Sequence, residues 1–348
     1  MSMDLNAVAV HNGSFLGIEN SFESSKIVLF PLPWDVTTSY RAGTRSGPQH
    51  IIEASYQLDL FSHFLSKAWE TPFHTLENSE EWLAKSAALR NSVESYVAFL
   101  ESGKSLNDDS QMKKTVSELN LACDEFFAWA LKNCESFVEQ GKIPVIVGGD
   151  HSVTYAPVKA LSGKYKDLSV LHFDAHADLR IRYEGFEHSH ASIMNRLLRE
   201  NAIHKLVQVG IRDFCPEELS QIENDGRIKT YFDRDLKQRR FEGQNFKQTA
   251  REIIDQLSSR VYVSFDIDGL DPKLCPDTGT PVPGGLEFDE ARYLIEELAR
   301  SGRQIVGGDI VEVAPSIDLD NEWNGNVGAR MLWTLVQAIE FSRRLHNS

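Results

Sequence analysis

The stretch 169–178, S-V-L-H-F-D-A-H-A-D, constrains the fold more than any other part of the sequence. Its apolar run predicts a strand that is buried on both faces of a parallel sheet. Asp174, His176 and Asp178 follow at every second position, so their side chains converge on one point if the extended geometry persists to the end of the stretch. Carboxylates buried at such a point need a compensating charge, which a metal cation supplies. For this stretch taken alone, an edge strand with one polar face in water is an equal alternative.

Two further stretches repeat this design. In residues 260–272, R-V-Y-V-S-F-D-I-D-G-L-D-P, an apolar strand is followed by Asp266 and Asp268. In residues 143–152, I-P-V-I-V-G-G-D-H-S, a strand closes on two glycines, whose conformational freedom lets the chain turn so that His151 points back at the strand ends. Three core-type strands that each end in metal-ligand residues are hard to obtain by chance, and they predict a metal site built from three segments.

The motifs G-G-D-H-S, D-A-H-A-D and S-F-D-I-D-G-L-D-P occur in this order, and together they resemble the three signature motifs of the ureohydrolase family. That family comprises arginases, agmatinases and related guanidino hydrolases, and the resemblance runs from about residue 27 to the C-terminus. It implies a small-molecule guanidino substrate, with urea and an amine as products. It also implies a homo-oligomer, either a trimer or a hexamer.

Ligand type indicates the metal content of this site. The predicted ligands are His151, Asp174, His176, Asp178, Asp266 and Asp268. They are more than one tetrahedral ion requires and include no thiolate, so two divalent ions that share carboxylates are expected. Oxygen-rich ligation favours Mn²⁺, while Ni²⁺, Co²⁺ or Zn²⁺ could compete. Two ions about 3.5–4 Å apart would hold a water and lower its pKa enough to supply hydroxide.

The resemblance also implies roles for residues outside the ligand set. Family members have a histidine on the loop after D-A-H-A-D that shuttles protons or contacts substrate; His190 in S-H-A-S fits this place best, and His188 is the rival. An acid after the last strand grips the guanidinium, and here that acid is Glu312; the alternative is a surface glutamate paired with a basic side chain. Together with Asp178, counted both as a ligand and as a catalytic carboxylate, His190 and Glu312 form the predicted catalytic set.

The tail of the substrate is less constrained. Arginase-like members have Asn where this chain has Arg180, whereas D-L-R-x-x-Y-x-G-x-x-x-S-H-A is similar to agmatinases, so conversion of agmatine to putrescine is the first expectation. Arg180 and Arg182 would instead suit a carboxylate tail, as in 4-guanidinobutanoate or 3-guanidinopropanoate, if they point inward. Arginine and free guanidine stay open. A zinc-dependent amidohydrolase of the deacetylase type and an inactive metal-binding scaffold are remoter alternatives.

Alternation of strands and helices, with polar residues at the carboxyl ends of the strands, predicts an α/β fold with a mainly parallel central sheet. The resemblance makes this a three-layer, arginase-like fold with helices on both faces. We expect one domain over residues 1–348, with an N-terminal arm at 1–25 that either frays or packs on a neighbour. Helices predicted at 79–99 and 112–140 place a helical insertion within about 59–140, before the first metal motif.

Smaller features complete the prediction. A strand is expected near 227–231, followed by a charged loop at 233–242. Arg41 and Arg45, in the glycine-bearing loop before the first helix, are interpreted as loop-to-body or subunit contacts rather than substrate contacts. Asp150 is a candidate acceptor for a ligand imidazole.

Composition and charge exclude several classes of protein. The chain has 348 residues with 36 basic and 51 acidic side chains, a net charge of −15, which argues against a nucleic-acid or anionic-membrane partner. Its four cysteines show no C-x-x-C spacing and fit a reducing compartment better than a disulfide framework. We find no targeting signal and no apolar run long enough to span a bilayer, so a cytoplasmic protein is predicted.

Overall fold

The computed structural model describes residues 5–318 and 320–347, and its strands form one sheet in which every pairing is parallel. In chain order the strands are β1 (Ile27–Leu32), β2 (Phe73–Thr75), β3 (Ile143–Gly148), β4 (Leu168–Phe173), β5 (Lys205–Ile211), β6 (Ile228–Phe232), β7 (Arg260–Asp266) and β8 (Gln304–Val311). Across the sheet the order is β2-β1-β3-β8-β7-β4-β5-β6, so β8 lies at its centre between β3 and β7. This confirms the predicted parallel α/β sheet.

The α-helices are α1 (Gly47–Ser55), α2 (Glu80–Glu101), α3 (Ser110–Glu139), α4 (Tyr155–Lys164), α5 (Ile193–Arg199), α6 (Pro216–Asn224), α7 (Asp233–Phe241), α8 (Phe246–Asp255), α9 (Phe288–Arg300) and α10 (Trp323–Asn347). Short 3₁₀ turns precede several of them, including His151–Thr154 before α4 and His190–Ser192 before α5. Pro48 lies in the first turn of α1, where its missing N–H removes no helical hydrogen bond.

Two hydrophobic cores lie on the two faces of the sheet. Along β1, Ile27 and Leu29 belong to one core while Val28 and Phe30 belong to the other, because successive side chains of a strand point to opposite faces. The first core also takes side chains from α1, α8, α9 and α10, and the second takes side chains from α2, α3, α4 and α5. This arrangement confirms the three-layer fold. The one-domain interpretation stays a prediction, which the continuous sheet supports.

The charged segment 233–242 was predicted as a loop, and this prediction is wrong because most of it is helix α7. Asp233 and Asp235 lie in the first turn, and Arg239 and Arg240 lie in the last turn. Acidic side chains near a helix N-terminus and basic ones near its C-terminus both interact favourably with the helix dipole. Leu236, buried against the first core, anchors the helix to the body.

Part of the N-terminal arm packs on the chain's own body. Phe15 is fully buried, its N–H donates to Thr75 Oγ1 at 3.1 Å, and its ring lies 6.5 Å from that of Trp333. The N–H of Leu16 donates to Ser55 Oγ at 2.8 Å. The prediction that the arm frays or docks on a neighbour is therefore wrong for this part, whereas residues 1–4 lie outside the described residues.

Helices α2 and α3 correspond to the two helices predicted between residues 59 and 140. Each begins at a side-chain cap: Ser79 accepts the N–H of Trp82, and Asp109 accepts two N–H groups of the first turn of α3. Phe126 of α3 stacks on Trp34, with ring centroids 4.3 Å apart and the planes 6° from parallel. That this pair is an insertion stays a prediction.

Within the described residues, no helix combines the length and the apolar character that crossing a bilayer requires. All four cysteines are unpaired thiols, which agrees with the expectation that they form no disulfide framework.

Candidate active site

The carboxyl ends of β3, β4, β7 and β8 carry a cluster of acidic and imidazole side chains. These strands are neighbours in the sheet, so the residues that follow them meet at one edge. The structure brings all the predicted metal ligands together there: His151, Asp174, His176, Asp178, Asp266 and Asp268. They form two groups, which we call the first and second ligand groups.

The first ligand group surrounds the imidazole of His151. Its Nδ1 lies 3.0 Å from Asp174 Oδ2, 3.1 Å from Asp178 Oδ2 and 3.2 Å from Asp266 Oδ2. All four side chains are buried. This Nδ1 has no hydrogen-bond partner among the described residues, although three carboxylate oxygens surround it.

The second ligand group lies beside the first and is more exposed. His176 Nδ1 is 3.0 Å from Asp268 Oδ2 and 3.4 Å from Asp174 Oδ1. Asp174 therefore presents one oxygen to each group. A carboxylate shared in this way can bridge two cations.

Burial and the neighbouring carboxylates disfavour the ionised form of two of the ligands. Burial, and then the neighbouring Asp174, raise the pKa of Asp178 to about 6. Burial also raises the pKa of Asp266 well above its usual range, and the nearby Asp268 adds to the rise. A divalent cation between these oxygens would remove both effects, because it favours the ionised form of each carboxyl group. The donor set therefore fits hard or borderline divalent ions.

The backbone brings the ligands together differently from the prediction. β4 ends at Phe173, and Asp178 has φ = 54°, so the extended geometry that was expected to persist to Asp178 is interrupted. Two glycines make the required close approaches: a Cβ on Gly149 would lie 2.0 Å from Trp34 O, and one on Gly269 would lie 2.7 Å from Asp174 N. The convergence therefore depends on tight loops after the strands, not on strand alternation alone.

Two buried residues that contact the ligands were not singled out from the sequence. Ser264 Oγ lies 2.9 Å from His151 Nε2, and His172 Nε2 lies 2.8 Å from Asp174 Oδ2. His172 stands two residues before Asp174 in the same alternating pattern, which was the available signal. Asp150, the candidate acceptor for a ligand imidazole, instead accepts the hydroxyl of Thr37 at 2.9 Å and caps the 3₁₀ turn after it.

A cavity of about 450 Å³ opens over the second ligand group. His176 and Asp178 form part of its floor, and the imidazole of His190 lines it. The remaining lining residues are Ser39, Tyr40, Arg41, Arg180, Tyr183, Ala191, Asp213, Phe214, Glu218, Thr280, Pro281 and Val282. We refer to residues 39–41 and 180–191, two of the segments that line the cavity, as the cavity rim.

His190 lies where the prediction needs a histidine. Its Nδ1 has no hydrogen-bond partner among the described residues, and its N–H donates to Thr37 Oγ1 at 3.3 Å. Burial, and then the neighbouring His176 and His151, lower the pKa of His190 to about 4. The ring is therefore neutral at pH 7 and free to take part in proton transfer.

His188, the rival, faces away from this cavity. Its Nε2 lies 2.7 Å from Asp124 Oδ1, and its ring stacks on Phe127 with centroids 4.5 Å apart. Both partners belong to α3, and Arg196 contacts the same imidazole. Burial, and then Arg196, lower the pKa of His188 to about 4, so it is a neutral packing residue.

Glu312 directly follows β8 and has φ = 63°. Its Oε1 accepts the N–H of His151 at 2.8 Å, and the side chain is only 6% exposed. Burial, and then Asp150, raise its pKa well above the usual range. Glu312 is thus not a surface residue in an ion pair; it lies beside the first ligand group, although it is not among the described residues that line the cavity.

Two of the arginines near the site lie in the cavity rim, and a third supports the loop before it. Arg41 and Arg180 line the cavity, and the Arg180 guanidinium lies 4.7 Å from the ring centroid of Tyr183. Arg41 also donates to Pro276 O at 3.4 Å, so it makes the predicted loop-to-body contact as well. Arg45 instead pairs with the buried Asp35 at 2.9 Å.

Arg182 points into solvent. Its guanidinium pairs with Glu187 at 3.0 Å, and its side chain is 62% exposed. It does not line the cavity described above.

Helices α2 and α3 hold the cavity rim from outside. Arg90 of α2 is buried, and its Nη1 donates to the carbonyl oxygens of Thr38 at 2.7 Å and Asp35 at 3.3 Å, just before residues 39–41. Tyr96 of α2 donates its hydroxyl to Glu184 O at 2.7 Å. The predicted insertion therefore supports both rim segments.

Asn120 of α3 adds two further contacts to the second rim segment. Its Nδ2 donates to Gly185 O at 3.1 Å, and its Oδ1 accepts the N–H of Glu187 at 3.1 Å.

Comparison with known proteins places this chain in a family. The family model described as Arginase matches residues 25–337. Among curated proteins, an agmatinase of Bacillus subtilis is 30% identical over 91% of this chain and 93% of its own length. An N(1)-aminopropylagmatine ureohydrolase of Thermus thermophilus is 34% identical over 86% of each chain.

Solved structures of similar proteins match this chain over most of its length. An agmatine ureohydrolase of Thermoplasma volcanium matches with a TM-score of 0.70 at 25% identity, covering 97% of both chains. A proclavaminate amidino hydrolase of Streptomyces clavuligerus matches with a TM-score of 0.72 at 21% identity, covering 97% of this chain and 99% of its own, and this likeness concerns the fold alone. The chain therefore belongs to the arginase family and is a hydrolase of C–N bonds in linear amidines.

Proposed function

We propose that this protein hydrolyses a guanidino compound to urea and an amine at a dinuclear metal centre. One observation carries the proposal: Asp174 presents one oxygen to each ligand group, while His151 Nδ1 faces three carboxylate oxygens without a hydrogen-bond partner among the described residues. A divalent cation bound by this nitrogen and the oxygens around it would satisfy all of them at once.

The two ligand groups would each hold one ion. His151, Asp178 and Asp266 would serve the first ion, His176 and Asp268 the second, and Asp174 both. The oxygen-rich donor set favours Mn²⁺, with Ni²⁺ or Co²⁺ as alternatives. When bound, a pair of divalent ions supplies hydroxide near neutral pH.

Two other residues have roles in this proposal. The Glu312 side chain, one oxygen of which accepts the N–H of His151, would orient the guanidinium through charge-assisted hydrogen bonds, because the positive charges of the ions and of the substrate would favour its ionised form. His190 would pass a proton toward the departing amine, because it lines the cavity beside His176 and its Nδ1 has no hydrogen-bond partner among the described residues.

Agmatine is our first candidate substrate, because relatives that cover most of the chain are agmatinases. A guanidino acid is the second candidate, because Arg41 and Arg180 both line the cavity and would attract a carboxylate tail. A cavity of about 450 Å³ leaves room for either tail.

A urea-release assay tests the proposal. The metal-free chain is loaded with Mn²⁺ and, separately, with Ni²⁺, and then offered agmatine, 4-guanidinobutanoate, 3-guanidinopropanoate, arginine and guanidine. We expect metal-dependent urea from at least one tailed compound, with agmatine turned over fastest. A fully metallated sample that is inert towards all five would overturn the proposed function, whereas preference for an acid would replace the first candidate by the second.

A further inference from the structure

A row of polar side chains crosses the buried sheet. On β4 and β7 its members lie two residues before the ligands Asp174 and Asp266. The positions are consecutive register partners on five adjacent strands: Thr230 on β6, Gln208 on β5, His172 on β4, Ser264 on β7 and Asp309 on β8. Register partners in a parallel sheet project their side chains to the same face. All of them except Thr230 are fully buried. We call this set the polar row.

Polar groups in the middle of a sheet covered on both faces are costly unless they are hydrogen-bonded. The polar row is bonded along both of its arms. Thr230 Oγ1 donates to Gln208 Oε1 at 2.8 Å, Gln208 Nε2 donates to His172 Nδ1 at 3.0 Å, and Ser264 Oγ donates to Asp309 Oδ1 at 3.1 Å. The arms end at the metal site, one on Asp174 and the other on His151.

The arm that ends on Asp174 fixes the proton positions of His172. Gln208 Nε2 also donates to the carbonyl oxygen of Ala177 at 2.8 Å. A carbonyl oxygen only accepts, so the amide of Gln208 can be oriented in one way only. Its NH₂ group therefore faces His172 Nδ1 as donor, and the proton of the neutral ring is on Nε2. That proton is donated to Asp174 Oδ2 at 2.8 Å.

The arm that ends on His151 fixes the proton positions of that imidazole in the same way. Asp309 accepts the hydroxyl of Tyr262 at 2.8 Å and the N–H of Phe265 at 2.9 Å, as well as the hydroxyl of Ser264. Since Ser264 gives its one proton to this carboxylate, it accepts from His151 Nε2 at 2.9 Å. In the neutral ring, which metal ligation requires, the proton of His151 is then on Nε2, and the lone pair of Nδ1 is directed at the first ligand group.

We infer that the polar row is a positioning device for the metal site: it holds the His151 lone pair towards the first ligand group and delivers a fixed hydrogen-bond donor to the shared carboxylate of Asp174. This inference rests on the proposed function, because it assigns the row to the same pair of ions. Partners that fix the tautomer and orientation of metal ligands change metal affinity by about 10- to 100-fold when they are removed.

The test compares variants inside and outside the polar row. Ser264→Ala removes the acceptor for His151, and Gln208→Glu keeps the side-chain shape but replaces the NH₂ group that faces His172 with a carboxyl oxygen. Ser169→Ala is the matched control, because Ser169 is also a fully buried serine of the sheet, bonded to Ser258 Oγ at 2.7 Å and to its N–H at 2.9 Å. Mn²⁺ dissociation constants are measured by isothermal titration calorimetry on metal-free chains, together with their thermal unfolding.

We expect Mn²⁺ binding to weaken by about 10- to 100-fold in Ser264→Ala and Gln208→Glu. Ser169→Ala should lose thermal stability to a similar degree yet bind Mn²⁺ as tightly as the unmodified chain. Unchanged Mn²⁺ affinity in both row variants would overturn this inference alone and leave the row a structural feature. An unmodified chain that binds no divalent ion would overturn the proposed function and, with it, the inference.

Discussion

The metal-ligand cluster and the cavity rim are both needed for a working site, yet they are positioned by different means. The ligands follow β3, β4 and β7 within a few residues, so the sheet itself aligns them. The rim consists of loop segments that are held by side chains of α2 and α3, as in the bonds from Tyr96 to Glu184 O and from Asn120 to Gly185 O. The cluster is mostly buried, while the rim includes exposed residues such as Tyr40.

This contrast indicates that the metal chemistry depends on the strand ends, whereas the choice of substrate depends on the loops of the cavity rim. Strand ends in a parallel sheet are rigid and place acidic groups reproducibly, which suits metal binding. Loops held at a few points can change without disturbing the sheet, which suits recognition of a variable substrate tail. Substitutions should therefore divide into those that remove the metal and those that alter substrate use while the metal stays bound.

The largest effect is expected at the ligands. Asp268→Ala removes a carboxylate oxygen that lies 3.0 Å from His176 Nδ1. We expect loss of bound metal and no measurable turnover, since the pair of ions supplies the nucleophile. Metal content by plasma mass spectrometry and urea release check this. Full metal content in this variant would show that Asp268 is not a metal ligand, and the ligand cluster would then not be the region that binds the metal.

Glu312→Gln should separate metal binding from catalysis. The amide keeps the shape of the side chain but loses the charge that would hold a guanidinium, so kcat/KM should fall by about 10²–10³-fold, as when one transition-state contact is lost. Metal content should stay that of the unmodified chain. Loss of metal equal to that in Asp268→Ala would show that Glu312 belongs to the ligand set.

The same division explains what could be predicted from the sequence. Asp174 and Asp266 were predictable because each directly follows an apolar strand, and the parallel sheet and its layers were predictable from the same strands. His172 and Ser264 were missed because each lies inside an apolar strand, where the alternation that His172 shares with Asp174 is a weak signal and a single polar residue otherwise resembles an ordinary core residue. Their role became visible only when strand register placed them beside each other.

The rim contacts could not be predicted, because they join distant parts of the chain. Arg90 and Thr38 are 52 positions apart, and Tyr96 and Glu184 are 88 apart. No short-range periodicity encodes such pairs. The helix at α7 was missed for a related reason, since its charges suggested a loop and only Leu236 marks its buried side.

An intermediate effect is expected where α2 supports the rim. Arg90→Met keeps the length of the buried side chain but removes its hydrogen bonds to two carbonyl oxygens. Hydrogen bonds from a charged donor contribute about 1.5–3 kcal/mol, so the free energy of unfolding should fall by about that amount. KM should rise while metal content stays constant. Urea denaturation measures the free energy of unfolding, steady-state kinetics measure KM, and plasma mass spectrometry measures the metal content.

Ser95→Ala is the matched control for this variant, because Ser95 is an exposed residue of α2 whose hydroxyl bonds only within the helix, to Asn91 O at 2.8 Å. An unchanged KM in Arg90→Met would mean that α2 stabilises the fold without shaping the cavity.

The smallest effect concerns the tail of the substrate. Arg180 lines the cavity and is half-buried, so its pairing with a substrate carboxylate should contribute about 0.2–1 kcal/mol. Arg180→Gln should therefore lower kcat/KM for 4-guanidinobutanoate relative to agmatine by at most about five-fold. Arg182→Gln is the control, because Arg182 pairs with Glu187 in solvent. Equal effects of both changes would show that general surface charge, not the cavity wall, sets the preference.

The central place of β8 has a consequence for biosynthesis. Among the described residues β8 is the last strand in chain order, yet it is inserted between β3 and β7, contains Asp309 and is followed directly by Glu312. Until the ribosome has released this segment, β3 and β7 lack the neighbour that joins the two halves of the sheet, and the incomplete chain exposes unpaired strand edges. His151, which follows β3, is therefore brought to the ligands of β4 and β7 only when β8 has been inserted between the two halves of the sheet, so the full set of ligands assembles late in folding.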